Sequence, residues 1–325
     1  MFFQKVKYRL LLWSLNLLFG LGFQKLLLRF KTGSRILIFH GIDLEGNTTY
    51  NSRFVSVRFF DELLHLLSKH CVFIPLEDLY QKKTLPGKFY IAITFDDGLK
   101  NNFDLAIPIL KKYQAPATFL VCPSENPDQV LWPDFLDLVT TVSKQKEVWF
   151  EGIRYTKEKE FHANGKTLKS RCKEVDGKTL ENLFPLFATE WEEVKSRSLD
   201  LYWKLMNEEE LKRIASDPLF TLGAHSLKHP NLTAISLEEA QYEMQESKRR
   251  LEIILGTSVN YFAFPFGSYT ESLVRMGEEI GFNRILLVQK NKDVDMKHSC
   301  LERFVINPHI SANAQLYFIS KGKYV

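Results

Sequence analysis

Between Arg35 and Asn307 the chain carries eight short apolar runs: RILIFHGI, CVFIPL, FYIAITF, ATFLVC, FTLGAHS, NYFAFPF, NRILLV and RFVIN. Stretches with helical spacing separate several of them. Phe59 to His70 puts Phe60, Leu63, Leu64 and Leu67 on one face, and Asp104 to Tyr113 reads as a helix that Pro108 must bend or restart. Asn207 is placed to cap NEEELKRIAS. Ser236 with Glu239 has capping-box spacing at the start of a long helix that Gly256 ends, and YTESLVRMGEEIG is a further helix. Alternating strand and helix units of this number predict an α/β fold built on a parallel barrel. Between Cys122 and Met206 the rhythm breaks. EVWFEGIRY reads as a hairpin turning at Glu151-Gly152, and long charged, partly helical stretches follow. We read about 124–206 as an inserted α/β subregion, with a lid, a docking surface and plain decoration all open.

The first residues follow a different pattern. An apolar stretch from Leu10 to Phe23, interrupted by Ser14 and Asn16, is bracketed by Lys5, Lys7, Arg9, Lys25, Arg29 and Lys31. It is shorter than the about 20 apolar residues of a spanning helix. Gly20 and Gly22 make a poor signal-peptide cleavage site, because a second apolar run, Leu26 to Phe30, follows. The expectation is a helical segment over 1–34 that meets a membrane surface through residues 1–30, ahead of a barrel domain over 35–325. A helix packed on the domain itself and an uncleaved anchor are the alternatives.

Composition adds bounds. With 45% hydrophobic residues and 26 Phe among 325, the chain can bury a large core and is no disordered polymer. A net charge of +4 suits an anionic membrane or an acidic glycan and gives no sign of a nucleic-acid partner. Cys71, Cys122, Cys172 and Cys300 form no CxxC pair, so they read as isolated thiols rather than a zinc ribbon.

Reactive groups in parallel α/β barrels gather at the C-terminal ends of the strands. Here those ends carry His40, the adjacent Asp96 and Asp97 of IAITFDDGL, His225 with His229, and Pro265-Phe266. His225 and His229 lie four apart, so a first helical turn would aim both imidazoles at one point. Two imidazoles and one carboxylate suit Zn²⁺ or a similar cation with positions left for water and substrate. A carboxylate that is not a ligand can then deprotonate that water. Each motif alone is more often structural; their placement at one barrel face is what points to chemistry.

TFDDG, then HSLKH, then FAFPFG, with the FHGI opening, PILKKYQAPATFLV and HPNLTAISLEEAQYEMQESKRRLEIILG in the same order, resemble the polysaccharide deacetylase family over roughly Arg35–Cys122 and Asn207–Asn307. The resemblance implies a distorted (β/α)7-type parallel barrel and metal-dependent carbohydrate deacetylation. It implies Asp96 as catalytic base, Asp97, His225 and His229 as metal ligands, and a Phe266 N–H that binds the oxyanion. Zinc is the first choice of cofactor, with cobalt or nickel as alternatives. Ser226, Leu232 and Phe264 would support the loop and pocket. The sequence also departs from the family pattern. Ala263 stands where many members have an arginine, and Arg303 is the candidate to supply that charge beside Asp96. No aspartate-before-tryptophan motif is evident, DVDM matching poorly. The late leucine-x-histidine motif that supplies the catalytic acid is missing, and His309 in NPHIS does not replace it, so His40 is our candidate acid.

The function this implies is hydrolysis of N-acetyl, less readily O-acetyl, groups on a cell-envelope polysaccharide or a lipid-linked sugar, with metal-bound water activated by Asp96. The alternative is a carbohydrate-binding or scaffold protein that has kept the barrel and lost catalysis. The expected location is membrane-associated, in a bacterial cell envelope or on the cytoplasmic face of the inner membrane.

Overall fold

The computed structural model describes residues 2–22, 28, 31–124, 126, 128–289 and 299–324. Its centre is a ring of parallel strands: β1 (Gly33–Phe39), β2 (Phe89–Phe95), β3 (Ala117–Val121), β4 (Phe220–Ala224), β5 (Tyr261–Ala263), β6 (Arg284–Leu287), β7 (Cys300–Glu302) and β8 (Phe304–Val305). Their order is β7-β6-β5-β4-β3-β2-β1-β8. The two ends of that order are one stretch of chain, broken only at Arg303. Its first half pairs with β6, Ile285 opposite Cys300, and its second half with β1, Leu37 opposite Phe304. The Arg303 N–H to Leu287 O bond at 2.8 Å and the Ile306 N–H to Ile38 O bond at 3.2 Å continue the two ladders. One bent strand thus brings a seven-unit barrel to near closure, and Arg303 sits at the bend. A short strand, Val72–Phe73, adds alongside β2.

The strands are largely apolar because the barrel interior covers one face and helices the other. All seven residues of β2 are buried. Helix α2 (Val57–His70) buries the four residues its period predicts, and Ser56 Oγ caps it by accepting from Phe59 N–H. Pro108 acts as a restart: a π-helical turn, Asn102–Ala106, passes into helix α3 (Ile107–Lys112) with the proline in its first turn. Asn207 and Glu210 complete a capping box on the helix Glu208–Ala215. At Leu237–Leu255 the box is only half made. Ser236 Oγ accepts from Glu239 N–H, while the Glu239 carboxylate accepts from Gly177 N–H, in the region between β3 and β4.

That region packs a second hydrophobic core around Phe135, Phe150, Tyr155, Phe161, Phe187 and Trp203. Helix α4 (Trp132–Val142) precedes an antiparallel meander. The hairpin at Glu151 and Gly152 turns with both residues at positive φ, 52° and 70°, as a two-residue turn between twisted strands needs.

At the N-terminus helix α1 (Phe2–Gly20) packs along the helix Ala312–Lys321, with Tyr8 stacked on Phe318 at 6.3 Å. Among the described residues no helix is long and apolar enough to cross a membrane. The DVDM stretch, like most of the run from 23 to 30, lies outside the described residues.

Candidate active site

The strand-end residues named from the sequence converge at one mouth of the barrel. Register brings the first pair together: Phe39 lies opposite Phe95, and Asp96 N–H donates to Phe39 O at 3.0 Å, so His40 and Asp96 leave adjacent strands side by side. The chain then turns sharply through Asp97 at φ 76° and Gly98 at φ 84°. A Cβ on Gly98 would meet Val121 Cβ at 2.8 Å, so only glycine fits both the φ and the space. The positive φ of Asp97 sends consecutive carboxylates in different directions, and a non-glycine residue held there is a mark of a functional turn.

Asp97, His225 and His229 each offer a ligand atom within 4.8 Å of the others, and all three are buried. His229 Nε2 lies 3.3 Å and His225 Nε2 3.6 Å from Asp97 Oδ1, an oxygen with no hydrogen-bond partner. His225 Nδ1 is taken by Ala263 O at 2.8 Å, which leaves its Nε2 lone pair aimed at the carboxylate. A buried carboxylate oxygen without a donor, facing two imidazole nitrogens, fits a divalent cation.

The two histidines do not share a helical turn, as their spacing predicted. Residues 225–231 form an irregular loop in which Ser226 and His229 have φ of 65° and 62°. The buried Glu243 carboxylate holds this loop by accepting Leu227 and Lys228 N–H, both at 2.9 Å, and Ser226 Oγ accepts His229 N–H. With the loop's N–H groups bonded to side chains, no helical ladder is needed to satisfy them.

Two arginines set the carboxylates apart. Arg303 makes a two-pronged bond to Asp96, 2.6 and 2.9 Å, and reaches Thr94 Oγ1 at 3.2 Å, all buried. The position filled by Ala263 leaves this charge to come from the bent closing strand. Burial alone would raise the Asp96 carboxyl, but Arg303, with His225 behind it, outweighs that and holds it below the ordinary carboxylate range. Arg53 was not singled out from the sequence. Its Nη1 lies 3.2 Å from Asp97 Oδ2 and its Nη2 2.7 Å from Asp134 Oδ1. Asn51 Nδ2 also donates to Asp134 Oδ1, at 2.7 Å. Burial opposes ionisation of Asp97 too, and Arg53 with His229 overrides it, keeping Asp97 well below the usual range. Asp134 stands on α4, and Trp132 Nε1 on the same helix donates to His229 O at 2.9 Å. The inserted region therefore backs Asp97, through Arg53, and His229.

Phe266, at φ 60°, packs beside this cluster, its ring 4.7 Å from that of His229 and 5.6 Å from that of Trp132. His309 is exposed on the loop after β8. Phe264 and Leu232 are core residues.

Burial, reinforced by Arg53, pushes the His40 imidazole down to about 4, and burial does the same to His225. Both ordinarily titrate near 6.5, so the unfolded chain binds these protons first as pH falls. Their contribution to stability is full above pH 6.5 and is lost between 6.5 and 4. Metal-free protein is expected to unfold at markedly lower urea at pH 5 than at pH 7.5; equal midpoints would mean that the imidazoles are solvated.

Residues 83–148 and 178–285, more than half of the chain, match the polysaccharide deacetylase family. The match runs into both ends of the 124–206 insertion, leaving out 149–177, and starts later than the resemblance over Arg35–Cys122 implied. The Bacillus subtilis (strain 168) protein YxkH, whose name places it among polysaccharide deacetylases, is 22% identical over 119 residues, 36% of this chain and 42% of YxkH. The chain thus matches less than half the length of that relative. Among solved structures, the Streptococcus pyogenes deacetylase PplD in complex with acetate superposes with a TM-score of 0.56 at 19% identity, covering 88% of this chain and 97% of PplD. IcaB from Ammonifex degensii gives 0.55 at 16% identity, covering 89% and 97%. At these identities the superpositions speak for the fold, and the fold carries the Asp97, His225 and His229 cluster at its mouth. With strand ends, barrel closure and motif order all in agreement, the chain belongs to the polysaccharide deacetylase family of carbohydrate deacetylases.

Proposed function

We propose that the protein hydrolyses N-acetyl groups, less readily O-acetyl groups, on a cell-envelope polysaccharide or lipid-linked sugar, using a divalent cation, zinc before cobalt or nickel. The observation that carries this reading is the division of labour between neighbours: Asp97 faces two imidazoles, while Asp96 is turned onto Arg303. A pure binding site has no use for an ionised carboxylate held beside a metal site but outside it. Asp97, His225 and His229 would hold the cation, which when bound acidifies water and polarises the acetyl carbonyl.

The residues of the chain account for the proton and charge traffic. Asp96, kept ionised by Arg303, takes a proton from the attacking water as the new C–O bond forms. The Phe266 N–H donates to the oxygen on which negative charge develops. The C–N bond then breaks, and the departing nitrogen needs a proton. We assign that role to His40, at the end of β1 next to Asp96. Because burial and Arg53 hold the imidazole neutral before reaction, His40 acts as a relay: it takes from Asp96 the proton that came from water and passes it to the amine, which returns Asp96 to its ionised form and leaves acetate and a free amino sugar.

Chelation is the direct test. Dialysis against a chelator should abolish release of acetate from an N-acetylated glycan, and stoichiometric Zn²⁺, Co²⁺ or Ni²⁺ should restore it. Turnover that survives full demetallation sinks the reading. Glycan and metal binding with no acetate released over long incubation would instead assign the barrel to carbohydrate binding.

A further inference from the structure

Helix α1 is apolar on two faces, and the barrel covers only one of them. Leu15 and Phe19 are buried in the main core, with Leu11 and Leu12 packed against it. On the other side Leu10, Trp13 and Leu17, with Leu21 in the turn that follows the helix and bonded back to Leu17 O, keep the i, i+3, i+7, i+11 spacing of one helical stripe, with Leu18 beside it. All five are exposed, Trp13 by 67% and Leu21 by 69%. A continuous stripe of this kind on the outside of a soluble barrel marks a surface meant to be covered.

Charge identifies the cover. Seven basic residues, Lys5, Lys7, Arg9, Lys25, Arg29, Lys31 and Arg35, precede the first acidic residue of the chain, Asp43. Without those seven the net charge of +4 would be −3, so the positive charge of the protein is concentrated at this end. Lys7 and Arg9 are exposed next to the stripe and have no ion-pair partner among the described residues. A second copy of the chain, meeting this face across a two-fold axis, would bring these cations against their own images. An anionic bilayer accepts the cations at its headgroups, the leucines at the acyl boundary, and the tryptophan between them.

The packing also fixes how the barrel would lie. Tyr8 sits against Phe318, while Asn16 Oδ1 accepts from Ser311 Oγ, so α1 runs antiparallel to the C-terminal helix. That helix ends at the barrel base, where Arg35 Nε donates to Ile319 O at 3.3 Å, and starts at the catalytic side, after β8. The stripe therefore climbs the barrel wall from the base, with Leu17, Leu18 and Leu21 nearest the rim that holds the metal cluster.

We propose that α1 docks the protein side-on to an anionic lipid surface through Leu10, Trp13, Leu17, Leu18 and Leu21, with the barrel mouth opening alongside the membrane. The proposal stands independently of the catalytic reading, because binding is measured without turnover. Full-length protein should float with vesicles of phosphatidylcholine mixed with phosphatidylglycerol, and much less with phosphatidylcholine alone. Trp13→Ala with Leu17→Ser should weaken that binding by at least about tenfold while leaving the melting temperature unchanged. Lys7→Glu with Arg9→Glu should remove the preference for anionic lipid. Failure of the wild type to float, or equal flotation of wild type and Trp13→Ala/Leu17→Ser protein, overturns the proposal. So does a dimer in solution that the same double substitution converts to monomer without any change in flotation, which gives the face to a second copy.

Discussion

Asp96→Asn protein is expected to fold, to bind its divalent cation as the parent does, and to lose about 10²–10⁴-fold in turnover. Asparagine keeps the shape of the side chain and removes its capacity to accept a proton from water. The three proposed ligands, Asp97, His225 and His229, are untouched, and Asp97 keeps its bond to Arg53. Loss of the metal would instead place Asp96 among the ligands, and parental turnover in the metal-loaded variant would remove it from the mechanism. His40→Ala gives the companion result. A proton donor matters where the leaving group is an amine and little where it is a good leaving group. The variant should be crippled on an N-acetylated sugar and close to the parent on an activated aryl acetate. Equal loss on both substrates would show that His40 shapes the pocket rather than moving a proton.

How much of this was readable beforehand depended on whether a residue's role was local. The strand ends were legible, because an apolar run of period-free residues that stops at polar side chains describes a buried parallel strand and its mouth. Asp96, Asp97 and Gly98 were legible for the same reason: the turn and the chemistry occupy consecutive positions. His225 and His229 were found by spacing, but the conformation behind the spacing was misread. A helical turn and a loop with two left-handed residues both bring residues four apart together, and the choice depends on Glu243, which stands on a helix later in the chain and accepts the N–H groups of Leu227 and Lys228. Arg53, Asp134 and Trp132 were missed altogether. Asp134 lies 81 residues from Arg53 in sequence, and their 2.7 Å contact exists only because the inserted region folds back over the barrel mouth. No local pattern marks such a pair. A buried aspartate in the first turn of a mostly apolar helix, WPDFLDLV, was the one available signal. The same contact answers a question the sequence left open, since a region that supports Arg53 and the backbone of His229 takes part in building the site.

Arg303 is where fold and chemistry meet, and Arg303→Met should show both. The guanidinium sits at the bend of the strand that closes the barrel, and its partner Asp96 is buried with it. Removing one member of a buried pair leaves the other charge without a partner, which typically destabilises by about 3–5 kcal/mol. We expect Arg303→Met to lose that order of stability in urea unfolding and Asp96→Asn, whose amide oxygen still accepts from the guanidinium, to lose a smaller amount. The double variant Asp96→Asn/Arg303→Met should be more stable than the sum of the two single effects predicts, because its neutral pair leaves no buried charge stranded. Methionine has enough length to fill the space, so a shortfall in the double variant would point to packing at the bend rather than to charge. Activity separates positioning from bulk stability. Arg303 holds the Asp96 carboxyl below its ordinary range against the effect of burial, so without it the base should protonate at higher pH. At temperatures where Arg303→Met remains folded, the acidic limb of its kcat/KM profile should move to higher pH, with KM changed less than kcat. A limb that stays in place would mean that the arginine only holds the barrel closed. A limb that moves would show that the closing strand supplies the charge which keeps the base ionised.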